Sequence, residues 1–200
     1  MKKKILFLTA VLVCLSIAMT GTLAYFTADN VAHNVITTGK VNIALQEWAD
    51  EGHTVPFENL EGVMPGNEIT KIAIVKNTGT APAWIRVKID IAVTKQINDK
   101  NDKNDKEVRK LSSDKVTVNI DTENWKRGAD GYYYYQKALD ADAKTKPIFT
   151  SVLFDKGMGN EYQDSTASVD VLVQAVQTAH NGDSAENASG WPQNGSTVTP

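Results

Sequence analysis

The chain has 200 residues, of which 42% are hydrophobic and 22% charged, an ordinary composition for a globular protein of one or two domains. Its net charge is −3; the first 24 residues hold three lysines and no acidic residue, so their removal leaves 18 basic and 24 acidic residues, a net charge of −6. An acidic chain of this kind is unsuited to general nucleic-acid binding, which needs a basic surface. The only cysteine, Cys14, lies in the N-terminal apolar segment, so the rest of the chain offers no disulfide, thiolate nucleophile or cysteine metal site.

The N-terminus has the layout of a secretory signal. Lys2–Lys4 precede an apolar run from Ile5 to Ala18, and small residues follow as far as Ala24. The run is shorter than the roughly 20 residues needed to span a bilayer. We predict a signal peptide over residues 1–24, cleaved between Ala24 and Tyr25. Cleavage after Ala18 and retention as a membrane anchor are the alternatives.

From residue 39 the chain has the pattern of an all-β protein, in which strand-like stretches are separated by turn residues. An alternating stretch, Val41–Leu45, follows Gly39, and a second strand is predicted from Glu68 to Lys76. Turn residues bound these strands: Gly39 precedes the first, Pro65 and Gly66 lie between the two, and Asn77 and Gly79 follow the second.

The clearest strand runs from Ala83 to Thr94. Apolar residues fill every second position on one side, and Trp84, Arg86 and Lys88 begin the other side. This alternation predicts an antiparallel strand with one face in the core and the other in water.

Three copies of Asn-Asp-Lys occupy residues 98–106. A charged tract without apolar residues has nothing to bury, so we predict a solvated polar loop over residues 98–113. Its carboxylates recur every third residue, which fits a calcium-binding loop poorly.

The second half of the chain continues the β pattern. Strands are predicted at Val116–Ile120, at Tyr132–Tyr135 with two tyrosines inward and two outward, at Pro147–Phe154 and at Ala167–Val176. Residues 179–200 are rich in Asn, Gly and Ser, which predicts a polar C-terminal tail in which Trp191 is the docking candidate. The strand count predicts one all-β sandwich domain of two packed antiparallel sheets over residues 39–178.

No residue emerges as a catalytic, cofactor-binding or metal-binding group. The three histidines, His33, His53 and His180, are not at the spacing of a zinc-protease helix, and there is no Gly-x-Ser-x-Gly nucleophile elbow. We therefore predict neither a cofactor nor an enzyme.

Several segments occur together in an order that resembles the TasA–camelysin family of exported proteins. They are Thr22–Asp29, Asn34–Ile43, Met64–Asn67, Val75–Thr80 and Ala81–Val87, with weaker similarity at Gly131–Tyr135, Val173–Gln177 and Trp191. The resemblance implies cleavage at Ala24–Tyr25 by a dedicated SipW-type signal peptidase, a jelly-roll-like sandwich, and a place on the bacterial cell surface or in the biofilm matrix.

In relatives of this type, subunits join into fibres through an N-terminal segment that pairs with the sheet of the next subunit. Here that segment is residues 25–38, whose strand-compatible members are Tyr25, Phe26, Thr27, Val31, Val35 and Ile36. A released segment of this kind can add to an open sheet edge through backbone hydrogen bonds. The expected partners are other copies of the chain or related matrix subunits, with the membrane contacted only through the uncleaved signal. Pairing of the segment within its own subunit is the alternative.

Two other functions stay open. The family also carries a metalloprotease name through camelysin, although no zinc motif is present in this sequence. The third candidate is a monomeric surface protein that binds another matrix component.

Overall fold

The structure is a computed structural model that describes residues 41–98 and 106–192. The predicted signal peptide and the segment 25–38 lie outside these ranges. The described residues contain one short 3-10 helix, Asn160–Tyr162, and no helix long and apolar enough to cross a bilayer. Their nine strands are β1 Ile43–Trp48, β2 Glu68–Asn77, β3 Ala83–Asn98, β4 Lys106–Leu111, β5 Val116–Ile120, β6 Trp125–Arg127, β7 Tyr133–Tyr135, β8 Phe149–Phe154 and β9 Ser165–Gln177.

The strands form two antiparallel sheets. The first sheet has the order β1-β2-β8-β5. In the second sheet the long strand β3 pairs with β9 along one edge and with β4 and β7 along the other, and β6 lies beyond β7. The predicted all-β fold of two antiparallel sheets is confirmed.

The core lies between the two sheets, where alternate residues of each strand point inward. On β3 these are Ala83, Ile85 and Val87, each at 0% exposure, as the alternation predicts. Trp125 of the same sheet and Phe149 of the facing sheet belong to the same buried cluster. A one-residue slip of β3 would expose this whole row, so burial of the row fixes the strand register.

The outward face of β3 is solvated at Lys88 and Asp90, as the alternation predicts, but not at its beginning. Trp84 and Arg86 are only 8% and 9% exposed. They are covered by Tyr132 and Tyr134 from the β6–β7 hairpin and by Trp191 from the C-terminal segment. The four tyrosines do alternate as predicted, but the outward pair, Tyr132 and Tyr134, is buried in a second apolar cluster with Trp84 and Trp191.

The C-terminal half of the predicted polar loop 98–113 is a strand. Lys106–Leu111 pairs with Val93–Asn98 as β4, on the side of β3 opposite to β9. The predicted polar tail also packs on the protein as far as Pro192, whose carbonyl oxygen accepts a hydrogen bond from Gln174 Nε2 at 3.4 Å.

Candidate functional site

The residues predicted for signal cleavage and for assembly lie outside the described ranges, as does the turn residue Gly39. Ala24, Tyr25, Phe26, Thr27, Val31, Val35, Ile36 and Gly39 belong to this group. The turn residues Pro65, Gly66, Asn77 and Gly79 are described.

Pro65 and Gly66 form the tight turn that leads into β2. Asn67 N donates to Met64 O at 3.0 Å, and Met64 N donates to Asn67 Oδ1 at 2.9 Å. Gly66 has a φ of 83°, a left-handed value that a side chain would disfavour. Its missing side chain also leaves room for Lys156, whose Cγ would lie 2.9 Å from an added Cβ.

Asn77 ties the β2–β3 turn to the body of the domain. Its side chain is fully buried; Nδ2 donates to the carbonyl oxygens of Ala81 and Leu139, both at 2.9 Å, and Oδ1 accepts from Gly79 N at 2.9 Å. An amide alone supplies two donors and an acceptor in so small a space. Asn77 and Gly79 therefore stabilise the fold at this turn.

β1 and β9 contact each other along one side of the sandwich, each at the edge of its sheet. The far end of the β1 edge is occupied by its own loop, since Ala49 N donates to Val55 O and Phe57 N donates to Glu47 O. β9 pairs with β3 over 13 residues and with no other described strand.

β9 lacks the features that protect most edge strands. Natural edges are kept from pairing by short length, lysine or proline. β9 has 13 residues, no lysine, no proline and a single charged residue, Asp170. β4, at the opposite edge, is six residues long and four of them are charged. Of these two edges, only β9 is suited to receive another strand.

A buried ion pair closes the end of the sandwich beside the loop that follows β1. Lys71 Nζ lies 3.0 Å from Glu47 Oε1, and the two side chains are 7% and 10% exposed. The ammonium group also lies 4.5 Å from the centre of the Phe57 ring. This loop begins with a turn in which the Asp50 carboxylate accepts from the amides of Thr54 and Val55, and the hydrogen bond from Val55 N chiefly lowers the pKa of Asp50.

An arginine-centred cluster covers the outward face of the second sheet. The Arg86 guanidinium lies 4.0 Å from the centre of the Tyr132 ring and 4.6 Å from that of Trp191. Arg86 Nε donates to Gln174 Oε1 at 2.8 Å, and Nη1 lies 3.3 Å from Asp130 Oδ2. This cluster has no local signature in the sequence, because its members are distant in the chain. The one residue of it that the sequence indicated is the docking candidate Trp191.

The same cluster shifts the pKa values of Asp130 and Tyr134. Desolvation acts to raise the pKa of Asp130, but the hydrogen bonds from Tyr134 Oη and Tyr132 N, aided by the charge of Arg86, outweigh it and lower this pKa. Burial, followed by the hydrogen bond to Asp130, raises the pKa of Tyr134. The charged and hydrogen-bonding groups of Arg86, Asp130 and Tyr134 are directed at other protein groups, so the arrangement is suited to holding the C-terminal segment in place.

Two of the three histidines, His53 and His180, lie in the described ranges. His53 stands in the loop after β1 with its ring 6.0 Å from that of Trp48, and His180 follows β9. Within residues 41–98 and 106–192, no group of three or more His, Cys, Asp or Glu side chains is placed to hold a metal ion. His33 lies outside these ranges.

Comparison with known proteins gives one family. A family model described as camelysin metallo-endopeptidase matches residues 1–126. No curated protein matches the chain. The matched region includes the segments between Thr22 and Val87 that carried the resemblance and covers more than half of the sequence. The chain belongs to the camelysin family.

Proposed function

We propose that the protein is a structural component of the bacterial cell surface or extracellular matrix. In this proposal a SipW-type signal peptidase cuts between Ala24 and Tyr25, and the released segment 25–38 joins a neighbouring copy or a related subunit by strand addition. Family membership supports a surface or secreted protein, which is the setting that such assembly requires.

The observation that carries this proposal is that β9 is a long edge strand with one charged residue and no proline. An added strand needs a long, uncharged and unblocked edge, because its affinity comes from a row of backbone hydrogen bonds. β9 has one charge, at Asp170, and no proline from Ser165 to Gln177. We assign this stretch as the receiving edge.

The leading segment matches that edge in length. Its 14 residues would extend about 46 Å as a strand, at roughly 3.3 Å per residue, and β9 has 13 residues. Val35 and Ile36 have the high strand propensity that such pairing favours.

Negative-stain electron microscopy of the mature chain, with and without residues 25–38, tests the proposal. A sharper pair of variants keeps the segment: Val35→Pro/Ile36→Pro removes two consecutive backbone donors, one of which must face the receiving strand. Val35→Thr/Ile36→Thr is the control, because threonine keeps the β-branched shape and the donors. We expect fibres from the mature chain and the threonine variant but not from the proline variant. Equal fibre formation by all variants would exclude strand addition by this segment, and a strictly monomeric mature chain at rising concentration would exclude self-assembly.

A peptidase activity is the second candidate, and the description of the family is what favours it. Metal analysis of the mature chain, with casein digestion in the presence and absence of chelator, tests it. Stoichiometric zinc with chelator-sensitive cleavage would make the protein a protease and would overturn the structural role as the primary function.

A further inference from the structure

Half of the outward face of the first sheet is buried. Ala73 and Val75 of β2 belong to the core between the sheets, so Ile72 and Ile74 point away from it. Both isoleucines are only 2% exposed, although the outward face of a two-layer sandwich normally contacts water. Neither belongs to the two apolar clusters that the described residues form.

The polar groups beside these isoleucines point to the same conclusion. Gln46 lies opposite Ile74 in the strand register and Trp48 lies opposite Ile72, so all four share the outward face. Gln46 Oε1 and Trp48 Nε1 are buried and have no hydrogen-bond partner in the described part of the chain. Buried polar atoms in native proteins nearly always have a partner, so these two require one.

The other half of the same face is open to solvent. Thr117 and Asn119 on β5 and Thr150 on β8 are exposed. The cover therefore lies over β1 and β2 only, the side of the sheet at which the described chain begins with Val41.

Of the described residues, Lys144 reaches this face, with Nζ 6.0 Å from the centre of the Trp48 ring, but a single lysine side chain does not bury both isoleucines. Only one segment outside the described ranges has the composition and the attachment point for the rest of this cover. Residues 99–105 contain only Asn, Asp and Lys. Residues 193–200 follow Pro192, which is bonded to Gln174 on the outward face of the second sheet, the opposite side of the sandwich. The N-terminal segment enters β1 directly and has five large apolar residues in its mature part: Tyr25, Phe26, Val31, Val35 and Ile36.

We propose that in the mature monomer residues 25–40 pack as a third layer on the outward face of β1 and β2, over Ile72 and Ile74, and supply hydrogen-bond partners to Gln46 and Trp48. The docking itself does not depend on fibre formation. Its regulatory consequence rests on the proposed function: a segment held on its own subunit must leave that site before it adds to a neighbour, so self-docking competes with assembly and sets a concentration threshold for it.

Thiol labelling of the mature chain tests the docking, because this chain contains no natural cysteine. Ile74→Cys reports on the covered half of the face, and Thr117→Cys reports on the open half. Ala44→Cys, on the outward side of β1, is a second reporter that removes no large side chain. At a concentration where the protein is monomeric, we expect Ile74→Cys to react roughly 100-fold more slowly than Thr117→Cys, since labelling requires the segment to open.

The segment is then changed in the background of these reporters. In the polar variant Phe26, Val31, Val35 and Ile36 are replaced by Ser; in the matched control Thr27, Asn30, Asn34 and Thr37 are replaced by Ser. We expect the polar variant to speed labelling of Ile74→Cys at least about tenfold and the control to leave it unchanged. Ala83→Cys, in the core between the sheets, must stay protected in both, which shows that the domain remains folded.

Fast labelling of Ile74→Cys in the unmodified mature chain would overturn the proposal, because the face would then be open. Slow labelling that the polar variant does not change would also overturn it, since the cover would come from elsewhere. Fibre formation is measured separately by microscopy, so a chain that docks its segment yet never forms fibres contradicts the proposed function and not the docking.

Discussion

Replacement of Asn77 by alanine should destabilise the domain far more than the same replacement at Asn119. Each asparagine side chain makes three hydrogen bonds: Asn77 to Ala81 O, Leu139 O and Gly79 N, and Asn119 to Thr150 Oγ1 and to the amides of Thr150 and Ser151. Asn77 is at 0% exposure, whereas Asn119 is exposed. The pair thus differs in burial and not in the number of bonds.

The expected magnitudes follow from that difference. Asn77→Ala leaves Ala81 O without its partner, at about 1–3 kcal/mol, whereas Leu139 O keeps its bond from Ala83 N and Gly79 N keeps its bond to Asn42 O. With about 0.5–1.5 kcal/mol for each of the other two lost bonds, we expect a total loss of about 2–6 kcal/mol. Water replaces the bonds lost in Asn119→Ala, so that variant should lose about 1 kcal/mol. The larger loss is a substantial share of the roughly 5–15 kcal/mol that stabilises a typical domain.

Urea unfolding of the mature chain, followed by tryptophan fluorescence, measures both values. In thermal unfolding, followed in the same way, the melting temperature should fall by roughly 4–24 °C for Asn77→Ala and by about 2–4 °C for Asn119→Ala. Equal losses in the two variants would refute the reasoning, because burial would then not decide the cost of the missing bonds.

Three further predictions concern a buried ion pair, the Asp130 carboxylate and the C-terminal segment. Glu47→Leu should lower the free energy of unfolding by about 3–5 kcal/mol because it leaves the buried Lys71 unpaired, and Glu47→Leu/Lys71→Leu should recover most of this loss. Urea unfolding of the single and double variants measures both values. A double variant no more stable than Glu47→Leu would contradict the prediction. The pKa of Asp130 is lower in the folded state than its usual 3.8. Its ionised carboxylate therefore stabilises the folded state above pH 3.8, and this stabilisation is lost as the pH falls through the pKa of the folded state. Asp130→Asn should therefore flatten the acid limb of the stability–pH curve, whereas an unchanged limb would show that other carboxylates dominate. Trp191→Ala uncovers Arg86 and should lower the free energy of unfolding by about 2–4 kcal/mol, less than for a fully buried tryptophan; no change in thermal melting would mean that the C-terminal segment contributes nothing to stability.

Much of the fold was accessible from the sequence because it is recorded in local patterns. The alternation from Ala83 to Val93 predicts both the strand and its core face, since successive side chains of a strand point to opposite sides. Glycine and proline predict the turn at Pro65 and Gly66 for an equally local reason, the backbone angles that these residues permit. Cleavage at Ala24–Tyr25 and strand addition by residues 25–38 stay predictions, because those positions lie outside the described residues.

What covers each sheet, and which edge is open, was decided only by the tertiary structure. Alternation shows that one face of β3 is apolar, but it cannot show that Tyr132 and Trp191 bury Arg86 on the other face. Likewise, the sequence of Ser165–Gln177 predicts a strand and does not indicate that it lies at an edge, since strand order depends on contacts between residues far apart in the chain. Local residue patterns determined the strands and the turns; long-range packing determined the buried outward faces and the edge on which assembly is proposed to depend.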